Sequence, residues 1–342
     1  MPGALLLLDQ RALPTAVRQL RCESAAEVAE AIRDMAVRGA PAIGVAAAYG
    51  VALEARCAEA RGEGADAVRA AAVAACAELA ASRPTAVNLH AALARMRVII
   101  DAPSAVSLVA TLEAEAAAVE RFEVEASQAM GRHGAALLPD SARVLLHCNT
   151  GALATAGQGT AMAVVFEAHR RARLELAYVG ETRPRLQGAR LTAWELEQAG
   201  VPHVLVVDSL AATLMLHRAV DAVLVGADRI AANGDVANKV GTYALAVQCA
   251  QHGVPLHVVA PTTSIDPACE TGADIPIEER PRDELTRIGG EELAPAGTRV
   301  LNPAFDVTPA GLLTTIVTER GVIAPVDPAG VAAALAGSIT AP

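Results

Sequence analysis

Residues 144–172, VLLHCNTGALATAGQGTAMAVVFEAHRRA, predict a buried strand, a glycine-rich loop and an amphipathic helix in that order. The strand covers residues 144–147, Cys148 and Asn149 follow it, and the helix begins near Thr160. In open parallel α/β sheets, ligands bind beyond the carboxyl ends of the strands and against helix N-termini. Taken by itself, this stretch fits a small-molecule site and a structural cysteine in a tight turn equally well.

Four further strand-like runs follow, and each ends in a polar residue: LELAYVG before Glu181, HVLVVD at Asp208, AVLVGAD at Asp228 and LHVVA before Thr262. Helical patterns at 186–199, 210–220 and 240–252 separate these runs. This alternation predicts a doubly wound parallel sheet. The side chains of Cys148, Glu181, Asp208 and Asp228 then lie along one edge, which favours an active site there.

The fold class predicted for the whole chain is α/β, with a mainly helical N-terminal domain over residues 1–132 and a parallel-sheet α/β domain over 133–342. Short strands or a hairpin at 4–20 precede helices at 25–38, 65–82, 88–101 and 105–132. The tail predicts a helix at 309–320 and a strand at 322–325. The Gly-, Pro- and acid-rich stretch between 262 and 303 is either a lid, a subunit contact or a solvated excursion.

Composition excludes several classes of protein. The net charge is −10 and there is no basic run, so a nucleic-acid partner is not expected. The longest apolar run, residues 40–53, contains Pro and Gly and has the length of a core helix, so no membrane span is expected. Six scattered cysteines without a CxxC pair, and no signal peptide at the start, predict a cytoplasmic protein.

No metal and no cofactor are predicted. The eight histidines form no HxxxH or HxH pattern, and His147, inside a strand, fits a core histidine better than a ligand. A P-loop is missing, and no GxGxxG follows the first strand of a βαβ unit. A metal site is therefore disfavoured, and a nucleotide cofactor has no motif support.

Three breaks in the pattern place polar groups near helix starts. The first break is Arg38-Gly39-Ala40, and the second has Arg83 before a Pro-started helix. In each, the guanidinium can bind an anion such as phosphate. Taken alone, each break fits an exposed Arg in a helix–helix turn better. Gln187 ends a charged loop, Glu181 to Gln187, and can reach a substrate hydroxyl.

Residues 226–246, GADRIAANGDVANKVGTYALA, are more specific. A carboxylate ends a strand at Asp228, and Asn238-Lys239 precede the next helix, which suits acid–base chemistry beside a bound phosphate. An ion pair between Asp228 and Arg229, or an N-cap-like loop role for Asp228, is the structural alternative. We favour the functional interpretation because the carboxylate lies where this fold class binds ligands.

Several blocks closely resemble the methylthioribose-1-phosphate isomerase family of methionine salvage: RGAPAIGVAAAYG, SRPTAVNL, HCNTGALATAGQGTA, ETRPRLQGARLTAWEL, GADRIAANGDVANKVGTYALA, IPIEER and NPAFDVTP. The match runs from about Leu8 to Val322. Thr150 stands where a small Ala is usual, and the amino terminus is short. Ribose-1,5-bisphosphate isomerases and the regulatory alpha, beta and delta subunits of initiation factor 2B belong to the same superfamily.

The resemblance implies a homodimer with a helical N-terminal domain and a Rossmann-like domain. It implies that Asp228 is the proton donor and that Cys148 assists or stabilises the transition state. It also assigns a sugar-phosphate substrate to positions matched here by Arg38, Gly39, Ala40, Arg83, Gln187, Asn238 and Lys239.

Three alternatives remain open at this stage. The substrate of an isomerase could instead be ribose 1,5-bisphosphate, which needs a second cationic cluster at C5, or 5-deoxyribose 1-phosphate, whereas a methylthio group needs an apolar pocket. The chain could also be a non-catalytic regulatory subunit, against which the presence of both Cys148 and Asp228 argues. Hydrogen could move from C2 to C1 through an enediol or as a hydride.

Overall fold

The computed structural model describes residues 3–83, 86–103 and 107–339. The chain forms two compact units, one of Met1–Ala126 with Ala152–Gly159, the other of Ser127–Gly151 with Thr160–Pro342. The domain boundary predicted at 132/133 stays a prediction, because independent folding of the two parts is what would test it. Among the described residues, no helix is long and apolar enough to cross a membrane.

The first unit is mainly helical, as predicted. Its elements are β1 (Leu5–Leu8), β2 (Gln19–Cys22), α1 (Ala25–Arg33), α2 (Ala40–Ala60), α3 (Ala65–Ser82), α4 (Val87–Asp101) and α5 (Leu108–Ala136), which continues into the second unit. β1 and β2 pair antiparallel. Ser24 caps α1 by accepting a hydrogen bond from the backbone N–H of Glu27, at 3.3 Å. The apolar faces of the helices enclose an aliphatic core that includes Ile32, Leu79 and Met96.

The second unit contains a seven-stranded sheet in the order β15-β14-β9-β6-β3-β4-β5, in which all neighbours except β14 and β15 are parallel. Its strands are β3 (Ala142–Leu146), β4 (Leu174–Gly180), β5 (His203–Val206), β6 (Ala222–Val225), β9 (Leu256–Val259), β14 (Thr315–Thr318) and β15 (Gly321–Ile323). The strand order reverses at β3 and β6. The predicted α/β class with a doubly wound parallel sheet is therefore confirmed.

The connecting helices are shorter than predicted. They are α6 (Ala161–Arg170), α7 (Ala193–Gln198), α8 (Ala211–Leu216), α9 (Thr242–His252) and, after the sheet, α11 (Pro328–Ala336). Asp306 fixes the start of α9, because its carboxylate accepts hydrogen bonds from the backbone N–H groups of Gly241 at 2.7 Å and Tyr243 at 3.1 Å.

A smaller four-stranded sheet has the order β10-β7-β8-β13. Its strands are β7 (Arg229–Ala231), β8 (Val236–Lys239), β10 (Ile265–Asp266) and β13 (Phe305–Thr308). The predicted Asn233-Gly234-Asp235 turn joins β7 to β8, and Gly234 has φ +89°. The segment before β13 contains the short helix α10 (Asp283–Thr286) and the hairpin of β11 (Arg287–Ile288) and β12 (Glu291–Glu292).

The helix predicted at 309–320 is wrong. Only Ala310–Leu312 form a 3-10 turn, and Thr315–Thr318 form β14 beside β9. The run Thr-Ile-Val-Thr is β-branched throughout, and its four residues are buried. Such side chains lose rotamer freedom in a helix and pack well on a pleated surface, so the free edge of β9 decides in favour of a strand.

The burial of His257 on β9, beside its partner strand β14, can be tested through the pH dependence of stability. The Nδ1 of His257 lies 2.9 Å from the Oγ1 of Thr315, its partner in register, and burial lowers its pKa from 6.5 to about 4. Between these two pH values the unfolded chain binds a proton that the folded chain does not. The free energy of unfolding therefore falls as pH falls from 6.5 to 4, by up to about 1.4 kcal/mol per pH unit.

We expect His257→Gln to reduce this loss of unfolding free energy at low pH by on the order of 2 kcal/mol. Urea unfolding at pH 7 and pH 4.5 measures the free energy of unfolding at the two ends of the range. The exposed His217→Gln is the control and should behave as the parent protein does. Equal pH dependence in all three proteins would show that His257 does not titrate as the burial requires.

Candidate active site

Cys148 lies just beyond the carboxyl end of β3 in a constrained backbone. Its φ is +64°, a region that costs a non-glycine residue about 1–3 kcal/mol. Hydrogen bonds hold the residue on both sides: its N–H donates to the Oγ1 of Thr182 at 2.8 Å, and its C=O accepts from the Oγ1 of Thr192 at 2.7 Å. These two hydrogen bonds therefore fix the backbone that carries the half-buried thiol.

Asp228 follows β6, the strand that pairs with β3. The strand order reverses between these two strands, and a crevice for ligands opens at such a point. The half-buried Asp228 is tied to β8 by its N–H, which donates to the C=O of Ala237 at 2.9 Å. Arg229 forms an ion pair with Asp266 at 3.3 Å.

Asn238 and Lys239 end β8 and are both buried. The Asn238 Nδ2 donates to the Oγ1 of Thr242, at 2.9 Å, at the start of α9. Burial lowers the pKa of the Lys239 ammonium, and three nearby acidic groups, Cys148, Glu284 and Asp228, act in the opposite direction. The structure therefore brings Cys148, Asp228 and Lys239 into one electrostatic environment.

Gln187 ends the loop that begins at Glu181. Asp208, predicted along the same sheet edge, holds this loop by accepting hydrogen bonds from the N–H groups of Thr182 and Arg183, each at 2.7 Å. The Gln187 side chain is buried, and its Oε1 has no hydrogen-bond partner among the described residues. A buried acceptor in this state indicates a ligand or water as its partner.

A π-helix, Gly188–Thr192, follows Gln187, and such turns are frequent at functional sites. A Cβ at Gly188 would lie 1.7 Å from the carbonyl oxygen of Gly180, so only glycine permits this approach of the turn to β4.

In the first unit, Arg38 and Gly39 precede α2, which begins at Ala40. Gly39 has φ +100°, and a Cβ there would lie 2.5 Å from the Cα of Ala154. The buried Arg38 donates from Nε to the Oε1 of Gln10 at 3.1 Å, and the Gln10 Nε2 donates to the C=O of Leu153 at 2.7 Å. The guanidinium is therefore held at the start of a long helix, a position that suits an anion.

Arg83 follows α3, and its Nη1 lies 3.3 Å from the Sδ of Met35. Pro84, with which the following helix was predicted to start, lies outside the described residues. For both units the substrate roles of the predicted residues stay predictions.

Sequence reasoning missed several supporting residues. Thr182 and Thr192 fix Cys148, Gln10 fixes Arg38, and Glu195 accepts a hydrogen bond from the Nδ2 of Asn149 at 2.7 Å. Each is far from its partner in sequence, so no local pattern could have found it. His147 is buried with its Nε2 3.0 Å from the C=O of Val240, which agrees with its prediction as a core histidine.

The chain matches the model of the Initiation factor 2 subunit family over residues 36–325. It is 54% identical over 326 residues to a methylthioribose-1-phosphate isomerase of Anaeromyxobacter sp. (strain K), with 95% of this chain and 92% of the relative covered. A protein of the same description from Alkalilimnicola ehrlichii is 54% identical over 333 residues, covering 97% and 95%.

Two crystal structures are also similar. 5-Methylthioribose 1-phosphate isomerase from Pyrococcus horikoshii OT3 has a TM-score of 0.91 and 43% identity, with 98% of this chain and 94% of that chain covered. Translation initiation factor eIF-2B, subunit delta, from A. fulgidus has a TM-score of 0.84 and 39% identity, covering 96% and 99%. The family model, the identity to the relatives and the similarity of the fold agree. The chain belongs to the methylthioribose-1-phosphate isomerase family within the Initiation factor 2 subunit family.

Proposed function

We propose that the chain is an aldose–ketose isomerase that converts 5-methylthio-D-ribose 1-phosphate to 5-methylthio-D-ribulose 1-phosphate. The observation that carries the proposal is that Cys148 and Asp228 follow the two neighbouring strands at which the strand order reverses. The buried Lys239 is close enough to both for them to influence its pKa. Relatives of 54% identity are named for this activity, which supports the choice of substrate.

Asp228 is the proton donor in the proposed mechanism. An aldose 1-phosphate has no free anomeric hydroxyl, so it cannot open to an aldehyde as ordinary sugars do. A proton from Asp228 to the ring oxygen breaks the bond between that oxygen and C1. The half-buried carboxyl lies beside β8, beyond the carboxyl end of β6, which is where this fold class binds ligands and where a proton donor to a bound sugar is needed.

Hydrogen then moves from C2 to C1, and the C2 hydroxyl passes its proton to the Asp228 carboxylate, which gives the ketone and restores the proton donor. Cys148 is the second catalytic group. As a thiolate it can remove the C2 proton in an enediol route, and as a neutral thiol it can stabilise a hydride shift. The hydrogen bonds of Thr182 and Thr192 to its backbone fix the position of the Cα atom from which the thiol acts in either role.

Asn238, Lys239 and Gln187 bind the substrate in this proposal. Lys239 supplies the charge for the phosphate, and the unpartnered Oε1 of Gln187 accepts a hydrogen bond from a hydroxyl. The sequence resemblance extends the same role to Arg38, Gly39, Ala40 and Arg83, and the position of Arg38 at the start of α2 supports it.

The choice of a thioether at C5 over a second phosphate rests on the similarity to known proteins. The relatives of 54% identity are named methylthioribose-1-phosphate isomerases, and the Pyrococcus horikoshii structure is described as that of 5-methylthioribose 1-phosphate isomerase.

We also propose that the protein is a homodimer in the cytoplasm. β5 is an edge strand of the large sheet, so one of its sides has no strand partner in the part of the chain that the structure describes. Two apolar side chains there, Leu205 in the strand and Val207 just after it, are about half exposed. Leu216 on α8 and Tyr243 and Val247 on α9 are exposed too. Exposed apolar side chains at an open sheet edge are typical of an interface, and we propose a second copy of the chain as the partner.

The first test of the function is turnover of 5-methylthioribose 1-phosphate deuterated at C2, in ordinary water. We expect ketose product. Deuterium kept at C1 assigns the hydride shift, and its loss to solvent assigns the enediol. No ketose from this substrate, with turnover of ribose 1,5-bisphosphate, would contradict the proposed C5 substituent. Intact sugar-phosphate binding without any turnover would favour the regulatory class, to which the A. fulgidus relative is assigned by its description.

Asp228→Asn is expected to lower kcat by at least about 10³-fold, because the amide cannot donate the proton, while the melting temperature stays within a few degrees. Cys148→Ser is expected to lower kcat about 100-fold. Asp140→Asn, which changes an 89% exposed carboxylate, is the control and keeps full activity. Near-normal turnover by Asp228→Asn would remove Asp228 from the mechanism.

Val207→Asp is expected to convert the dimer to a monomer, because it places a charge in the apolar surface beside β5. Light scattering coupled to gel filtration measures the mass. Val98→Asp, at a 71% exposed position of α4, is the matched control and should stay dimeric. A parent protein that is monomeric at micromolar concentration would refute the homodimer.

A further inference from the structure

The segment between β10 and β13 packs against two elements of the candidate site. Its carboxyl end runs into β13, which pairs antiparallel with β8 and places Phe305 opposite Lys239 and Asp306 opposite Asn238. The segment is therefore anchored to the strand that ends in the predicted phosphate-binding residues.

The middle of the same segment contacts the loop that ends at Gln187. The Arg183 Nη2 donates to the C=O of Leu285 at 2.8 Å, and the Arg185 Nη1 donates to the Oε1 of Glu284 at 2.7 Å. One segment thus links β8 with the loop after β4. Glu284 and Leu285 contact this loop directly, so the interpretation of the stretch as a solvated excursion does not hold for these residues.

Glu284 is the centre of this contact. Its side chain is 10% exposed, and its Oε1 accepts hydrogen bonds from both Arg185 and Arg280, the latter at 2.6 Å. Burial would raise the pKa of Glu284, but the two guanidinium groups reverse the effect and hold it below the usual value. The carboxylate is therefore ionised, and its charge acts on Lys239 as well.

We propose that Glu284 is a positioning residue that holds Arg185 beside Lys239, so that Arg185 is a further phosphate-binding cation. This rests on the proposed function. Arg185 and Lys239 are like charges, and Arg185 disfavours the charged form of Lys239. The carboxylate of Glu284 offsets that repulsion and keeps both cations in place before substrate arrives.

Arg185 has the chemistry for this task. A guanidinium has five N–H donors in a planar fork, and the bond to Glu284 uses only one of them on Nη1. The others match the oxygens of a phosphate. Neutralising Glu284 removes the charged partner that fixes Arg185. Arg185 then leaves its position, so phosphate binding suffers while the proton donor stays where it is.

The experiment compares the parent protein with Glu284→Gln by steady-state kinetics and by calorimetric titration with inorganic phosphate. We expect KM and the phosphate Kd to rise together by about tenfold, the equivalent of about 1.4 kcal/mol, with kcat changed by less than about threefold. Glu284→Asp should restore part of the affinity. Glu291→Gln removes an exposed carboxylate from the same segment and should change nothing.

Arg185→Gln is the second variant and keeps the proposal falsifiable if Glu284→Gln folds poorly. It should raise the phosphate Kd as Glu284→Gln does, and the double variant should add little to either. An unchanged phosphate Kd in Arg185→Gln, or a lower melting temperature with an unchanged Kd in Glu284→Gln, would overturn the proposal. Phosphate titration needs no turnover, so this result is separate from a failure of the proposed isomerase activity.

Discussion

The buried ammonium of Lys239 is the constraint on which the arrangement of the second unit depends. An isolated cation in an apolar interior is costly, and it is retained only with counter-charges close by. Acidic groups from three distant segments act on the pKa of this ammonium: Cys148 after β3, Asp228 after β6 and Glu284, which is held ionised, from the segment before β13. The surroundings of Lys239 are therefore assembled from elements that share no local sequence relationship.

Backbone strain is concentrated in the same region. Cys148, Thr182 and Leu186 all have positive φ although none is glycine. The surrounding hydrogen bonds, above all those of Asp208 and of the Thr182 hydroxyl, hold these residues in conformations that they would otherwise avoid. Loops fixed in this way need little reorganisation when charge develops in a reaction, which is the property that electrostatic catalysis requires.

Strand–helix alternation was a reliable guide to the parallel sheet because each buried strand is a short aliphatic run that ends in a polar residue. β4, at Leu174–Gly180, coincides with its predicted run, and α3 with its predicted helix. The prediction failed at β14, where a short apolar run fits either period and the neighbouring strand decides between them. It also placed the end of α1 too late, since that helix ends at Arg33.

The sequence by itself determined the α/β class, the helical first part and the placement of Cys148 and Asp228 at the ends of two strands of the parallel sheet, because periodicity and turn residues act over a few positions. That these two strands are neighbours was decided by the tertiary structure. Only the tertiary structure decided which groups support Cys148 and Asp228. Arg38 binds Gln10 across 28 positions, and Arg185 binds Glu284 across 99. Such pairs form when whole elements pack, and a hydrogen bond between distant residues leaves no period in the chain from which it could be read.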